Sequence, residues 1–167
     1  MRGYQHALLI TGVVAVLGYT VWFALDKERI LAEGELVLFA LAPVDPRSLL
    51  QGDYMRLSYE IGDRFDREEL PPRGYLVFTR DDRGIATFRR LQVKPEPLDA
   101  DERIIQFRRR RAGSIRNGEI RLGAESYFFE EGTGAKFSDA AYGGMRIDRQ
   151  GNAVLVGLWD DEAKPIR

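Results

Sequence analysis

The sequence predicts a mainly β protein, an antiparallel barrel or sandwich of eight or nine short strands preceded by one N-terminal transmembrane helix. Three observations support this fold class. Residues 7–25 contain no charged side chain, whereas residues 34–160 consist of short apolar or alternating runs separated by turn signals. Short strands at regular spacing are typical of antiparallel barrels and sandwiches. A chain of 167 residues has room for one such domain and an anchor.

The N-terminal segment has the length and composition of a membrane span. Residues 7–25 are 19 residues rich in Val, Leu and Ala, and at about 1.5 Å per residue they nearly cross a hydrocarbon core of ~30 Å. Tyr4, Tyr19 and Trp22 lie near its ends, where interfacial aromatic residues are found. A cleaved signal peptide is the alternative, but no clear small-x-small cleavage site follows. We therefore expect residues 1–33 to form a short tail, an uncleaved span and a charged helical extension.

The β-domain is predicted from the period of the apolar residues, beginning after Gly34, which is expected to end the helix. Residues 63–70 are expected to make one helical turn, and residues 136–142 one or two. The domain covers residues 34–160, and residues 161–167 form a tail. The predicted strands are residues 35–42, 54–61, 74–80, 85–93, 102–110, 119–122, 126–130, 144–148 and 153–159. Turn signals at residues 81–84, 117–118 and 149–152 predict three hairpins.

The residue inventory excludes several kinds of site. The chain has no cysteine, so it has no disulfide, thiolate nucleophile or cysteine-based metal site. Its single histidine, His6, lies beside the apolar segment, which excludes a histidine zinc site or a Ser-His-Asp triad within the β-domain. A net charge of -1 argues against general nucleic-acid binding. No cofactor is expected, and the inventory favours a non-enzymatic protein while leaving catalysis open.

Residues 52–59 read GDYMRLSY and form the most distinctive motif. Gly52 and Asp53 are expected to make a turn in which the aspartate caps backbone N–H groups. In the strand that follows, Leu57 and Tyr59 lie on the apolar face and are expected in the core. Tyr54 lies on the polar face, where it either anchors a partner or is covered by a loop.

This motif, G-D-Y-x-x-L-x-Y, resembles the signature of the GDYXXLXY family of bacterial membrane-anchored proteins. Four further stretches are similar to that family, at residues 43–47 (PVDPR), 127–134 (YFFEEGTG), 141–143 (AYG) and 151–158 (GNAVLVGL). The family is functionally uncharacterised, and the resemblance implies a protein of the bacterial inner membrane with its C-terminal domain in the periplasm. Members resemble products encoded beside, or fused to, multi-spanning membrane proteins. No catalytic residue is implied.

A multi-spanning membrane protein is therefore the expected partner, together with the lipid bilayer. Small side chains recur on one stripe of the anchor helix, where they let a second helix approach closely, although such residues are also common in membrane helices. The arginine run at residues 108–111 either docks anionic groups or forms ion pairs with nearby carboxylates, and its alternate members point to opposite faces. The expected contact residues are Ala7, Thr11, Ala15, Gly18, Trp22, Tyr54, Arg108, Arg109, Arg110 and Arg111.

The sequence favours an accessory subunit that binds such a partner, and two alternatives remain. Residues 46–53 (PRSLLQGD) look like the stretch after the nucleophile of signal-peptidase-like serine proteases, so the chain is alternatively such a protease or its inactive relative. Ser48 lies on the wrong side of the proline for that role, and Ser58 is the other serine to test. A lysine base would be Lys94 or Lys136, neither in a matching motif.

The other alternative is a small-ligand-binding module. Its pocket would be lined by the aromatic residues around Tyr127.

Overall fold

The computed structural model describes residues 3–42, 54–65, 70–109 and 120–166. One long helix, α1, is followed by nine strands that pair antiparallel within three sheets. The elements are α1 (Gly3–Glu33), β1 (Glu35–Ala40), β2 (Tyr54–Arg56), β3 (Arg73–Arg80), β4 (Ala86–Gln92), β5 (Glu102–Arg109), β6 (Ile120–Arg121), β7 (Ser126–Phe128), β8 (Tyr142–Ile147) and β9 (Ala153–Trp159).

The described strands form a sandwich-like arrangement, and none of the three sheets closes into a barrel. Their orders are β1-β8-β9, β4-β3-β5-β6 and β2-β7. The core lies between them and includes Phe78, Phe107 and Met145, each at most 1 % exposed. Phe39 of β1 meets Phe78 of β3 edge to face at 5.2 Å, which joins two of the sheets through aromatic packing. The predicted mainly β fold is thereby confirmed.

Two of the three predicted hairpins are confirmed, and aspartate side chains hold both turns. The third predicted turn, at residues 117–118, lies outside the described residues. Between β3 and β4, Asp81 Oδ1 accepts the N–H groups of Arg83 and Ile85. Between β8 and β9, Asp148 Oδ1 accepts the N–H groups of Gln150 and Asn152. Aspartate stabilises turns in this way because its short side chain reaches the N–H groups of the next few residues.

The predicted strand over residues 54–61 is wrong in length. The observed strand, β2, ends at Arg56, and residues Glu60–Arg64 form a 3-10 helix. At Leu57 the chain changes neighbours, because the Leu57 N–H donates to Glu125 while the Ser58 carbonyl accepts the Ala42 N–H. The predicted alternation of buried and exposed side chains nevertheless continues through Ile61, since Met55, Leu57, Tyr59 and Ile61 are buried.

Helix α1 is long and apolar enough to cross a membrane, as a single-pass anchor or a signal sequence would be. No residue of its most apolar stretch is buried by the rest of the described structure. The far end is different, because Ile30 is buried against the β-domain and its carbonyl accepts the N–H of Gly34. The Arg146 guanidinium donates to the Gly34 carbonyl at 2.7 Å. We call this region, Ile30 to Gly34 with Arg146, the helix–domain junction.

On the outer face of the β3–β5 pair, Glu102 is the buried charged residue. It is 7 % exposed and accepts hydrogen bonds from the Arg90 guanidinium at 2.8 Å and from the Asp99 N–H at 2.9 Å. Arg90 also donates to the Pro97 carbonyl, so the pair holds the connector after β4 against the sheet. The hydrogen bond from Arg90, followed by that from the Asp99 N–H, lowers the pKa of Glu102 below its ordinary value.

This arrangement predicts an acid-sensitive contribution to stability. Because the folded-state pKa of Glu102 is depressed, its stabilisation is present above the unfolded pKa, about 4.3, and is lost as the pH falls through the folded value. Glu102→Gln should lower the urea midpoint of the detergent-solubilised protein at neutral pH, and the difference from wild type should shrink in strong acid. Exposed Glu131→Gln is the control. A wild-type–variant difference that is independent of pH would contradict the prediction.

Candidate functional site

The buried half of the GDYMRLSY motif has a structural role. Tyr59 is 4 % exposed, and its hydroxyl donates to the Ala124 carbonyl at 2.6 Å. Its ring lies against Gly143 and meets Phe39 edge to face at 6.4 Å. Burial, with a smaller effect of Glu125, raises the pKa of Tyr59 well above its ordinary value, so the phenol stays neutral and donates its hydrogen bond. Gly52 and Asp53 lie outside the described residues.

The outward half of the motif forms an exposed aromatic pair. Tyr54 of β2 is directly opposite Phe128 of β7, with ring centroids 5.7 Å apart. Tyr54 is half-buried, whereas Phe128 is 73 % exposed. Exposed Arg56 lies opposite Ser126 in the same two-stranded sheet. We call Tyr54, Arg56 and Phe128 the aromatic patch, and its exposure is what an anchor point for another protein requires.

Phe128 is the aromatic residue of this patch that the sequence interpretation missed, and Arg56 was not among the predicted contact residues either. Phe128 lies between Tyr127 and Phe129, whose rings both pack on Phe137, at 5.2 and 5.5 Å. Since successive side chains of a strand point to opposite faces, a core position for Tyr127 places Phe128 outside. This alternation in the sequence was the signal that could have identified Phe128 as a surface residue.

The aromatic residues around Tyr127 pack on one another, which does not support a pocket among them. Cavities lie elsewhere in the described part of the chain. One of 790 Å³ borders the helix–domain junction, lined by both acidic and basic side chains including Arg29, Glu35 and Arg103. These charges already pair, Arg29 with Glu33 and Arg103 with Glu35.

The residues considered for a protease are not brought together. Ser48 lies outside the described residues, and Lys94 and Lys136 are both exposed. A Ser-Lys mechanism needs a desolvated lysine beside the serine, and within the described ranges no lysine is buried. The carbonyl of Ser58 accepts the Ala42 N–H, which ties this segment to β1.

The described residues contain no group of three or more His, Asp or Glu side chains arranged to hold a metal ion.

The remaining predicted contact residues lie on two elements. Ala7, Thr11, Ala15, Gly18 and Trp22 are all exposed on α1, and Gly18 has open space around it. Their role in helix contact stays a prediction.

In the arginine run, Arg108 and Arg109 belong to β5 and point to opposite faces, while Arg110 and Arg111 lie outside the described residues. Arg109 donates to the Leu70 carbonyl at 2.7 Å, whereas Arg108 is exposed.

These features define a class of protein, a sandwich-like β-domain joined without a linker to one apolar helix of membrane-spanning length. The chain belongs to the GDYXXLXY family, whose model, described as GDYXXLXY protein, matches residues 16–158. The match begins inside α1 and ends in β9. No curated protein and no solved structure shows significant similarity to it.

Proposed function

We propose that this protein is a non-enzymatic accessory subunit that binds a multi-spanning membrane protein. Helix α1 anchors it in the bacterial inner membrane, and the β-domain lies on the periplasmic side. The observation that supports this most is the aromatic patch, an exposed Phe128 whose ring lies beside that of Tyr54 of the family motif. Solvent-exposed aromatic pairs are costly to leave in water and are enriched where proteins bind each other.

Two observations favour an anchor over a cleaved signal sequence. Helix α1 continues without interruption to Glu33 and buries Ile30 against the β-domain, so cleavage inside it would remove part of the folded structure. The family match also includes the helix from residue 16 onward. A retained helix with its apolar surface free of contact from the described β-domain offers a second face to a membrane partner.

The direct test is purification of the tagged full-length protein from its native membrane in a mild detergent, followed by mass spectrometry. A multi-spanning protein recovered in a fixed ratio is the expected result. The same purification is repeated from membranes treated with a crosslinker. If no partner is recovered in either case, the proposal is overturned.

The patch itself predicts a variant effect. Phe128→Ala combined with Tyr54→Ala should lower partner recovery by at least about tenfold, because truncating a central aromatic contact commonly costs 2 kcal/mol or more of binding free energy. The matched control is Val93→Ala, a residue that is 69 % exposed elsewhere on the domain. Equal recovery for both variants, at unchanged thermal stability, would show that the patch is not the contact.

A further inference from the structure

Three arginines from three strands form one row across the outer face of the β-domain. Arg73 of β3 is directly opposite Arg108 of β5, and Arg108 is directly opposite Arg121 of β6. Directly opposite residues point to the same face of a sheet, and neighbouring strands are about 4.8 Å apart. The row therefore places three guanidinium groups across about 10 Å, and all three residues are exposed. We call these residues the arginine row.

Among the described residues, the row brings like charges together with little compensation. Like charges directly opposite each other on a sheet destabilise it. Arg121 has a carboxylate neighbour, Glu125, at 3.3 Å. For Arg73 and Arg108 there is no ion pair with any residue that the structure describes. Arg103, also on β5, shows the contrast, because it is paired with Glu35 at 3.0 Å. An anion supplied by another molecule would remove the repulsion.

We infer that the arginine row binds an acidic segment of the partner protein, presenting carboxylates to Arg73 and Arg108. This inference rests on the proposed function, since it names the chemistry of that partner. The guanidinium fork matches the geometry of a carboxylate, with which it forms paired hydrogen bonds. Alternate side chains of an extended peptide are about 7 Å apart, so two of its carboxylates fit within the span of the row.

The protein's own bilayer suits the row less well than a protein segment does. Arg103 pairs with Glu35, directly after the helix–domain junction. Arg108 lies five residues further along β5, or about 17 Å of extended strand. Basic residues near the junction, such as Arg149, border the cavity beside the helix and are better placed to meet headgroups. The three side chains of the row are also exposed rather than enclosed in a pocket, which suits a macromolecular contact.

The test uses full-length protein in neutral detergent and a fluorescent oligoglutamate peptide, with binding followed by anisotropy at low ionic strength. Wild type should bind, and added salt should weaken binding because exposed charges are screened. Arg73→Gln with Arg108→Gln should raise Kd at least about tenfold. Arg149→Gln is the matched control, because this exposed arginine lies on the β8–β9 turn. Absence of wild-type binding, or equal loss in the control, overturns the inference.

A second readout separates this inference from the proposed function. Partner recovery from native membranes should fall for the row variant and persist for Arg149→Gln. Recovery unchanged by the row variant would overturn the inference and leave the accessory function standing. If the peptide binds through the row but no partner is recovered from membranes, the row binds an acidic ligand and the proposed accessory function is overturned. Binding of a short-chain phosphatidylglycerol that depends on the row, without peptide binding, would assign the row to lipid and overturn the inference.

The glutamine variants should remain folded, which keeps the test decisive. Arg73 and Arg108 are exposed and the change removes a like-charge pair, so the melting temperature should stay equal or rise. A fall in melting temperature would show that the row has a structural role, and it would overturn the inference.

Discussion

Tyr59→Ala is expected to lower the free energy of unfolding by about 3–5 kcal/mol, the range for removing a large buried aromatic side chain. Tyr59 is 4 % exposed and packs against Phe39 and Gly143, so its removal leaves a cavity in the core. It also leaves the Ala124 carbonyl without its hydroxyl donor. Urea unfolding of the detergent-solubilised protein, followed by tryptophan fluorescence, measures the loss.

Two further variants separate the causes. Tyr59→Phe keeps the ring and removes only the hydrogen bond, so its cost should be about 1–3 kcal/mol. Tyr54→Ala, in the same motif, should change stability little, because this side chain lies on the outer face of the two-stranded sheet. If Tyr59→Ala and Tyr54→Ala unfold at the same urea concentration, the division of the motif into a buried and an outward half is wrong.

That division explains why one short motif includes residues with unlike roles. The segment after β2 is fixed between β1 and the residues before β7. The Leu57 N–H and the Tyr59 hydroxyl donate to the carbonyls of Glu125 and Ala124, and the Ser58 carbonyl accepts the Ala42 N–H. The consequence is that β2 is held in register with β7, which places Tyr54 opposite Phe128. The buried residues thus position the outward pair, and a substitution at Tyr59 should disturb the aromatic patch from inside.

The sequence was sufficient where the determining interactions are local. The period of apolar residues and the turn signals at residues 81–84 and 149–152 were enough to predict the β3–β4 and β8–β9 hairpins. The end of β2 was not predictable in this way, because it depends on Leu57 meeting Glu125 and on Ser58 meeting Ala42. No local pattern indicates these tertiary hydrogen bonds, and alternation alone continues through Ile61.

The candidate surface shows the same limit. Tyr54 was identified from its place on a polar face, but its neighbour Phe128 is far along the chain and depends on the pairing of β2 with β7. The arginine row was missed for the same reason. The run at residues 108–111 drew attention to consecutive arginines, which diverge, whereas Arg73, Arg108 and Arg121 converge only through the register of three strands.

The passage from α1 into the β-domain depends on one residue, Gly34. A Cβ at this position would overlap the Ile30 carbonyl oxygen and lie 3.1 Å from the Ile147 nitrogen. These are backbone atoms, which cannot rotate away as a side chain can. Only glycine therefore lets α1 pass directly into β1 while keeping the Arg146–Gly34 hydrogen bond.

Gly34→Ala is accordingly expected to strain the helix–domain junction by about 1–3 kcal/mol, the usual cost of overpacking. The strain should be relieved by loss of the contacts of Ile30 and Arg146, so trypsin should cleave after Lys27 and Arg29 faster than in wild type. Gly12→Ala is the matched control, because it lies on α1 with nothing within 4 Å of the added methyl group. Cleavage at the wild-type rate would mean that Gly34 does not set the junction. Faster cleavage with reduced partner recovery, while the β-domain still unfolds at the wild-type urea concentration, would show that the partner recognises the patch at a defined orientation to the bilayer.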